Sequence, residues 1–103
     1  MNHYANPEER ARVIAGLQDL ADFLDRNPQV PAPRLIDLFV FPPSGSDAEM
    51  FAEIDVIAAL IGTTASDADS PAGHYSAMRG FGPMQYRAVA IPHAGRQRSE
   101  GAE

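Results

Sequence analysis

Residues 73–92 read Gly-His-Tyr-Ser-Ala-Met-Arg-Gly-Phe-Gly-Pro-Met-Gln-Tyr-Arg-Ala-Val-Ala-Ile-Pro, and this stretch constrains the fold more than any other. Two runs of strand length, His74 to Phe81 and Met84 to Ile91, meet at Gly82-Pro83, which predicts a β-hairpin. Side chains alternate across a strand, so the turn length decides which residues share a face. A two- or four-residue loop puts Tyr75, Ala77, Arg79, Phe81, Met84, Tyr86, Ala88 and Ala90 together. His74, Ser76, Met78, Gln85, Arg87, Val89 and Ile91 then share the other face. A three-residue loop re-sorts the two halves.

The rest of the chain supplies the elements that cover such a hairpin. Asn6-Pro7-Glu8-Glu9 combines an N-cap, a proline at the first helical position and a glutamate three residues after the cap, so a helix is expected over Pro7 to Arg26. Val13, Leu17, Leu20 and Leu24, flanked by Ile14 and Ala21, form its apolar stripe. Asn27-Pro28 ends it, because the residue before a proline disfavours helical backbone. Pro28, Pro31 and Pro33 then make a stiff spacer.

Arg34 to Phe41 is an apolar run of strand length closed by Pro42-Pro43. Leu35, Asp37, Phe39 and Phe41 alternate with Ile36, Leu38 and Val40, so both faces call for cover. That cover comes either from a central position in the sheet or from a second copy of the chain. Ser46-Asp47-Ala48-Glu49 repeats the capping signature. A second helix follows with Met50, Phe51, Ile54, Ile57, Ala58 and Ile61 as its buried stripe, and Gly62 is placed to end it in left-handed backbone. Thr63 to Ala72 is a small-residue connection, and residues 94–103 read as a flexible tail.

The expected architecture is a two-layer α+β domain over residues 1–93 in α-β-α-β-β order. Its three-stranded, mainly antiparallel sheet carries two helices on one face. The crossover preference suggests a split β-α-β unit: the first two strands parallel, and the third between them and antiparallel to both. The alternative order sets the first strand beside the second and leaves the third at an edge. A chain of 103 residues holds one modest core.

Charge narrows the function. The net charge is −6, and general affinity for nucleic acid or anionic membranes rests on a cationic excess. Residues 1–70 carry twelve acids against four arginines, whereas residues 71–98 carry Arg79, Arg87, Arg96, Arg98, two histidines and no acid. No apolar run approaches the roughly 20 residues of a membrane helix, and the N-terminus lacks the basic start and apolar core of a secretory signal. With no cysteine, disulfides and thiolate chemistry are excluded, and a cytoplasmic protein is expected.

Candidate sites stand beside simpler explanations. Tyr75, Phe81 and Tyr86 have the character of stacking platforms for bases, with Arg79 and Arg87 on phosphates. Core packing of the aromatics, and pairing of the arginines with helix carboxylates or Asp37, accounts for the same residues. Asp67, Asp69 and His74 have the donor types of a divalent-ion site at a spacing that matches no metal motif. His74, Ser76 and Asp37, with His3 and His93, are acid-base material without a nucleophile elbow, a zinc-binding helix or a phosphate loop. No cofactor, metal or enzymatic activity is therefore expected.

His74-Tyr75, Arg79-Gly80-Phe81-Gly82, Tyr86 to Pro92, and Leu17 to Asn27 followed by Val30-Pro31 resemble a group of small α+β proteins of actinobacteria and their phages or mobile elements, with no assigned activity. The resemblance spans roughly residues 8–92. It implies a cytoplasmic accessory protein and supplies no catalytic residue. The expected function is a non-catalytic interaction or regulatory module that self-associates as a homodimer. Its candidate contact residues are His74, Tyr75, Arg79, Phe81, Tyr86 and Arg87. The alternative is a nucleic-acid-contacting accessory protein that uses the hairpin arginines.

Overall fold

A computed structural model describes residues 4–68 and 73–93. The expected tail, with Arg96 and Arg98, lies outside the described residues, as do His3 and Asp69. Two compact units divide the chain, Met1–Arg34 and Leu35–Glu103.

The first unit contains helix α1, Pro7–Arg26. Its N-terminus is closed reciprocally: the Glu9 amide donates to Asn6 Oδ1 at 2.8 Å, and the Asn6 amide donates to Glu9 Oε1 at 3.0 Å. Two amides that the helix leaves without partners are satisfied in this way. At the other end both the backbone and side-chain amides of Asn27 donate to the Phe23 carbonyl. No residue of α1 is buried, and Val13, Ile14, Leu20 and Phe23 are exposed.

In the second unit, β1 (Ile36–Val40), α2 (Asp47–Ile61), β2 (Tyr75–Phe81) and β3 (Met84–Ala90) follow in order. The α2 capping box is present, with Ser46 and Glu49 exchanging bonds of 2.9 and 3.1 Å, and Gly62 closes the helix at φ +77°. That left-handed conformation suits glycine, which has no Cβ to clash. The hairpin closes through Gly82-Pro83 alone, with Phe81 opposite Met84. Gly82 at φ +62° followed by the fixed φ of proline suits the right-handed twist of the two strands.

The sheet order is β1-β3-β2. As expected, β3 lies in the centre, antiparallel to β2. The direction of β1 differs from the expectation: it runs parallel to β3, with Ile36 beside Met84 and Val40 beside Ala88. β1 and β2 are consequently antiparallel. The parallel neighbours are β1 and β3.

The two-residue turn selects the first face assignment. Ala77, Ala88 and Ala90 are buried against α2, whose Met50, Ile54, Ile57 and Ala58 complete the core. Three alanines leave room for the helix to approach the sheet closely, and Met50 and Ile54 supply the bulk. Through the register, Ile36, Leu38 and Val40 belong to this same face, and Asp37 and Phe39 to the opposite one.

Candidate interaction surface

The face of the sheet away from α2 is built from alternate residues of all three strands. Leu35, Asp37 and Phe39, then Phe41, come from the β1 segment, Gln85, Arg87 and Val89 from β3, and Ser76 and Met78 from β2. Leu35, Phe39, Phe41 and Met78 are 60%, 51%, 45% and 41% exposed, whereas Val89 between them is buried. The rings of Phe39 and Phe41 stack with centroids 6.1 Å apart and planes 8° from parallel. In the middle of this apolar surface Arg87 Nε lies 3.4 Å from Asp37 Oδ1, and its terminal nitrogen donates to Gln85 Oε1 at 2.9 Å. The one charge on β1 is thus balanced within the sheet.

The two edges of the sheet differ. Beyond β2, Ser66 and Ser76 exchange backbone bonds of 2.9 and 3.0 Å, so that edge is occupied there. Among the described residues no strand pairs with β1 on its outer side. The Ile36 amide donates inward to the Pro83 carbonyl at 3.0 Å. In a parallel ladder alternate residues bond to the same neighbour. Leu38 and Val40 therefore also turn their backbone groups toward β3, and Asp37 and Phe39 turn theirs outward.

The six candidate contact residues do not form one patch. Tyr75, Arg79, Phe81 and Tyr86 lie on the α2 face and Arg87 on the other, while His74 immediately precedes β2. The Tyr75 ring stacks on Phe51 at 4.8 Å, and its hydroxyl donates to Asp55 Oδ1 at 2.5 Å. That hydrogen bond, then desolvation, then the charges of Asp55 and Asp67, raise the Tyr75 pKa above its ordinary value. Arg79 sits 5.0 Å over the Phe81 ring and reaches the Ile61 carbonyl at 3.5 Å, near the C-terminus of α2, where a cation is favoured.

The acid-base residues are also dispersed. Asp37 and Ser76 occupy strands at opposite edges, with β3 between them. His93 closes the end of β3 onto the start of α2: its amide and Nδ1 lie 3.0 and 2.7 Å from Asp47 Oδ1. No cluster of three metal-ligating side chains occurs among the described residues. A cleft of about 260 Å³ lies between Pro42–Gly45 and α2, where the Glu49 carboxylate is already engaged by Ser46.

Two of these contacts have no signature in residue spacing. Asp55–Tyr75 and Asp47–His93 join positions far apart in the chain, and only the packing of α2 on the hairpin brings them together. The Asp37–Arg87 pair, by contrast, follows from the alternation of each strand once β1 and β3 are neighbours. The chain matches no protein-family model, no curated protein and no solved structure.

Proposed function

We propose that this chain is a non-catalytic protein-interaction module of regulatory or accessory type whose partner is a second copy of itself. The observation that supports this reading is the sheet face away from α2, where Leu35, Phe39, Phe41 and Met78 stand exposed around a neutralised ion pair. Exposed apolar side chains grouped on one face of a sheet favour association. The net charge of −6 opposes the approach of two copies at long range. At the patch itself Asp37 and Arg87 cancel, and salt screens the remainder beyond about 10 Å. A cysteine-free composition suits action in the cytoplasm.

The alternative, nucleic-acid contact through the hairpin, has no observation in its favour: Arg79 and Arg87 lie on opposite faces and each is engaged within the chain. Light scattering from the purified chain at micromolar concentration tests the self-association reading. A mass twice the 11.1 kDa of one chain is expected, and a single-chain mass at every concentration overturns it.

A further inference from the structure

We infer that two copies join edge to edge through β1, antiparallel, with the two-fold axis passing beside Leu38. This inference rests on the self-association reading and names its interface. Natural sheets protect their edges with lysine, inward charge, proline or a covering loop. The β2 edge has the Ser66 bridge. Within β1, Ile36 to Val40 include no proline or lysine, Asp37 is balanced by Arg87, and among the described residues no strand pairs on its outer side.

The register follows from which backbone groups point outward. Asp37 and Phe39 do, so in an antiparallel pair each Asp37 exchanges both backbone bonds with Phe39 of the other copy. Leu38 then meets its own counterpart as a non-hydrogen-bonded pair. On the α2 side Ile36 meets Val40, aliphatic against aliphatic; on the other side each Phe39 ring lies beside Asp37 of the other copy, whose charge Arg87 balances. The neighbouring registers are worse. Centring on Asp37 opposes two carboxylates, and centring on Phe39 requires Phe41, which lies outside β1 and directly before Pro42. The register about Leu38 is therefore the one in which a second copy of this strand pairs without opposing two carboxylates, and a second copy is the occupant proposed.

The chain has no cysteine, so a single Leu38→Cys substitution reports the axis directly. Residues facing each other in a non-hydrogen-bonded pair have Cα atoms about 4.5 Å apart, inside the roughly 4.4–6.8 Å that a disulfide spans. Under mild oxidation the full-length variant is expected to become a covalent dimer at least tenfold faster than Leu60→Cys, which sits exposed on α2. Equal rates overturn the edge interface. Phe39→Asp, at an exposed position beside Arg87 in its own sheet, places a second carboxylate against Asp37 of the other copy. It is expected to weaken the dimer at least tenfold, with unchanged circular dichroism. If the unsubstituted chain is dimeric and Phe39→Asp leaves it so, the edge inference fails while self-association stands; a monomeric unsubstituted chain removes both.

Discussion

Arg87 and Asp37 meet across the boundary between the central strand and β1, 3.4 Å apart, and leave β1 without net charge. Because both side chains keep about a third of their surface in water, the pair contributes modestly to folding, about 0.5–1 kcal/mol. Its larger effect concerns the edge. In the proposed dimer the two Asp37 side chains are diagonal neighbours, and Arg87 keeps them from repelling. Arg87→Met is expected to lower monomer stability by no more than about 1 kcal/mol. It should weaken self-association severalfold, more at low salt than at high salt. Sedimentation at two ionic strengths checks both the sign and the salt dependence.

Tyr75 and Asp55 give a pH prediction in the alkaline range. The folded pKa of Tyr75 is raised, so folding favours its protonated form. The stabilisation is fully present below the tyrosine pKa of the unfolded chain and is lost as pH rises through the higher folded value. Ultraviolet titration should place Tyr75 above an ordinary tyrosine, and Asp55→Asn should bring it down. An unshifted Tyr75 in the unsubstituted chain would show that the hydrogen bond does not persist in solution.

At the start of α2 the sign reverses. Backbone and side-chain hydrogen bonds from Ser46 hold the Glu49 carboxyl below its ordinary pKa. Its contribution is present above the glutamate pKa of the unfolded chain and disappears as pH falls through the lower folded value. Carbon chemical shifts should give Glu49 the more acidic midpoint. Ser46→Ala should raise that midpoint and cost about 1 kcal/mol, as losing an N-cap does. A thermal melt reads the loss as a fall of several degrees.

Oligonucleotides provide a separate test. The two hairpin arginines within the described residues are engaged on opposite faces, and the chain is acidic. Neither single- nor double-stranded oligonucleotides are expected to bind at low salt. Binding with a steep salt slope that Arg79→Ala and Arg87→Ala reduce would reinstate the nucleic-acid reading.

What the sequence made legible was local. Asn6 with Glu9, and Ser46 with Glu49, marked both helix starts because a capping box involves only residues three apart. Gly82-Pro83 marked the hairpin but not the length of its turn; the separation of Arg79 from Arg87 followed only once Phe81 was found opposite Met84, because strand alternation carries the turn length through to every side chain. The direction of β1 was not legible. No residue within Ile36–Val40 encodes whether the strand that returns beside it, after a helix, a long connection and a hairpin, runs the same way. The Tyr75–Asp55 contact escaped for a similar reason: it depends on how α2 lies across β2. The open edge could be read only after strand order and backbone alternation were both known.

Backbone amide exchange, followed residue by residue as protein concentration is varied, tests the central claim most directly. In the monomer the Asp37 and Phe39 amides face outward from β1, whereas the Ile36 amide is bonded to Pro83. If copies associate through this edge, exchange at Asp37 and Phe39 slows as concentration rises through the association range, while Ile36 remains protected throughout. Exchange at Asp37 and Phe39 that is fast and the same at every concentration contradicts it.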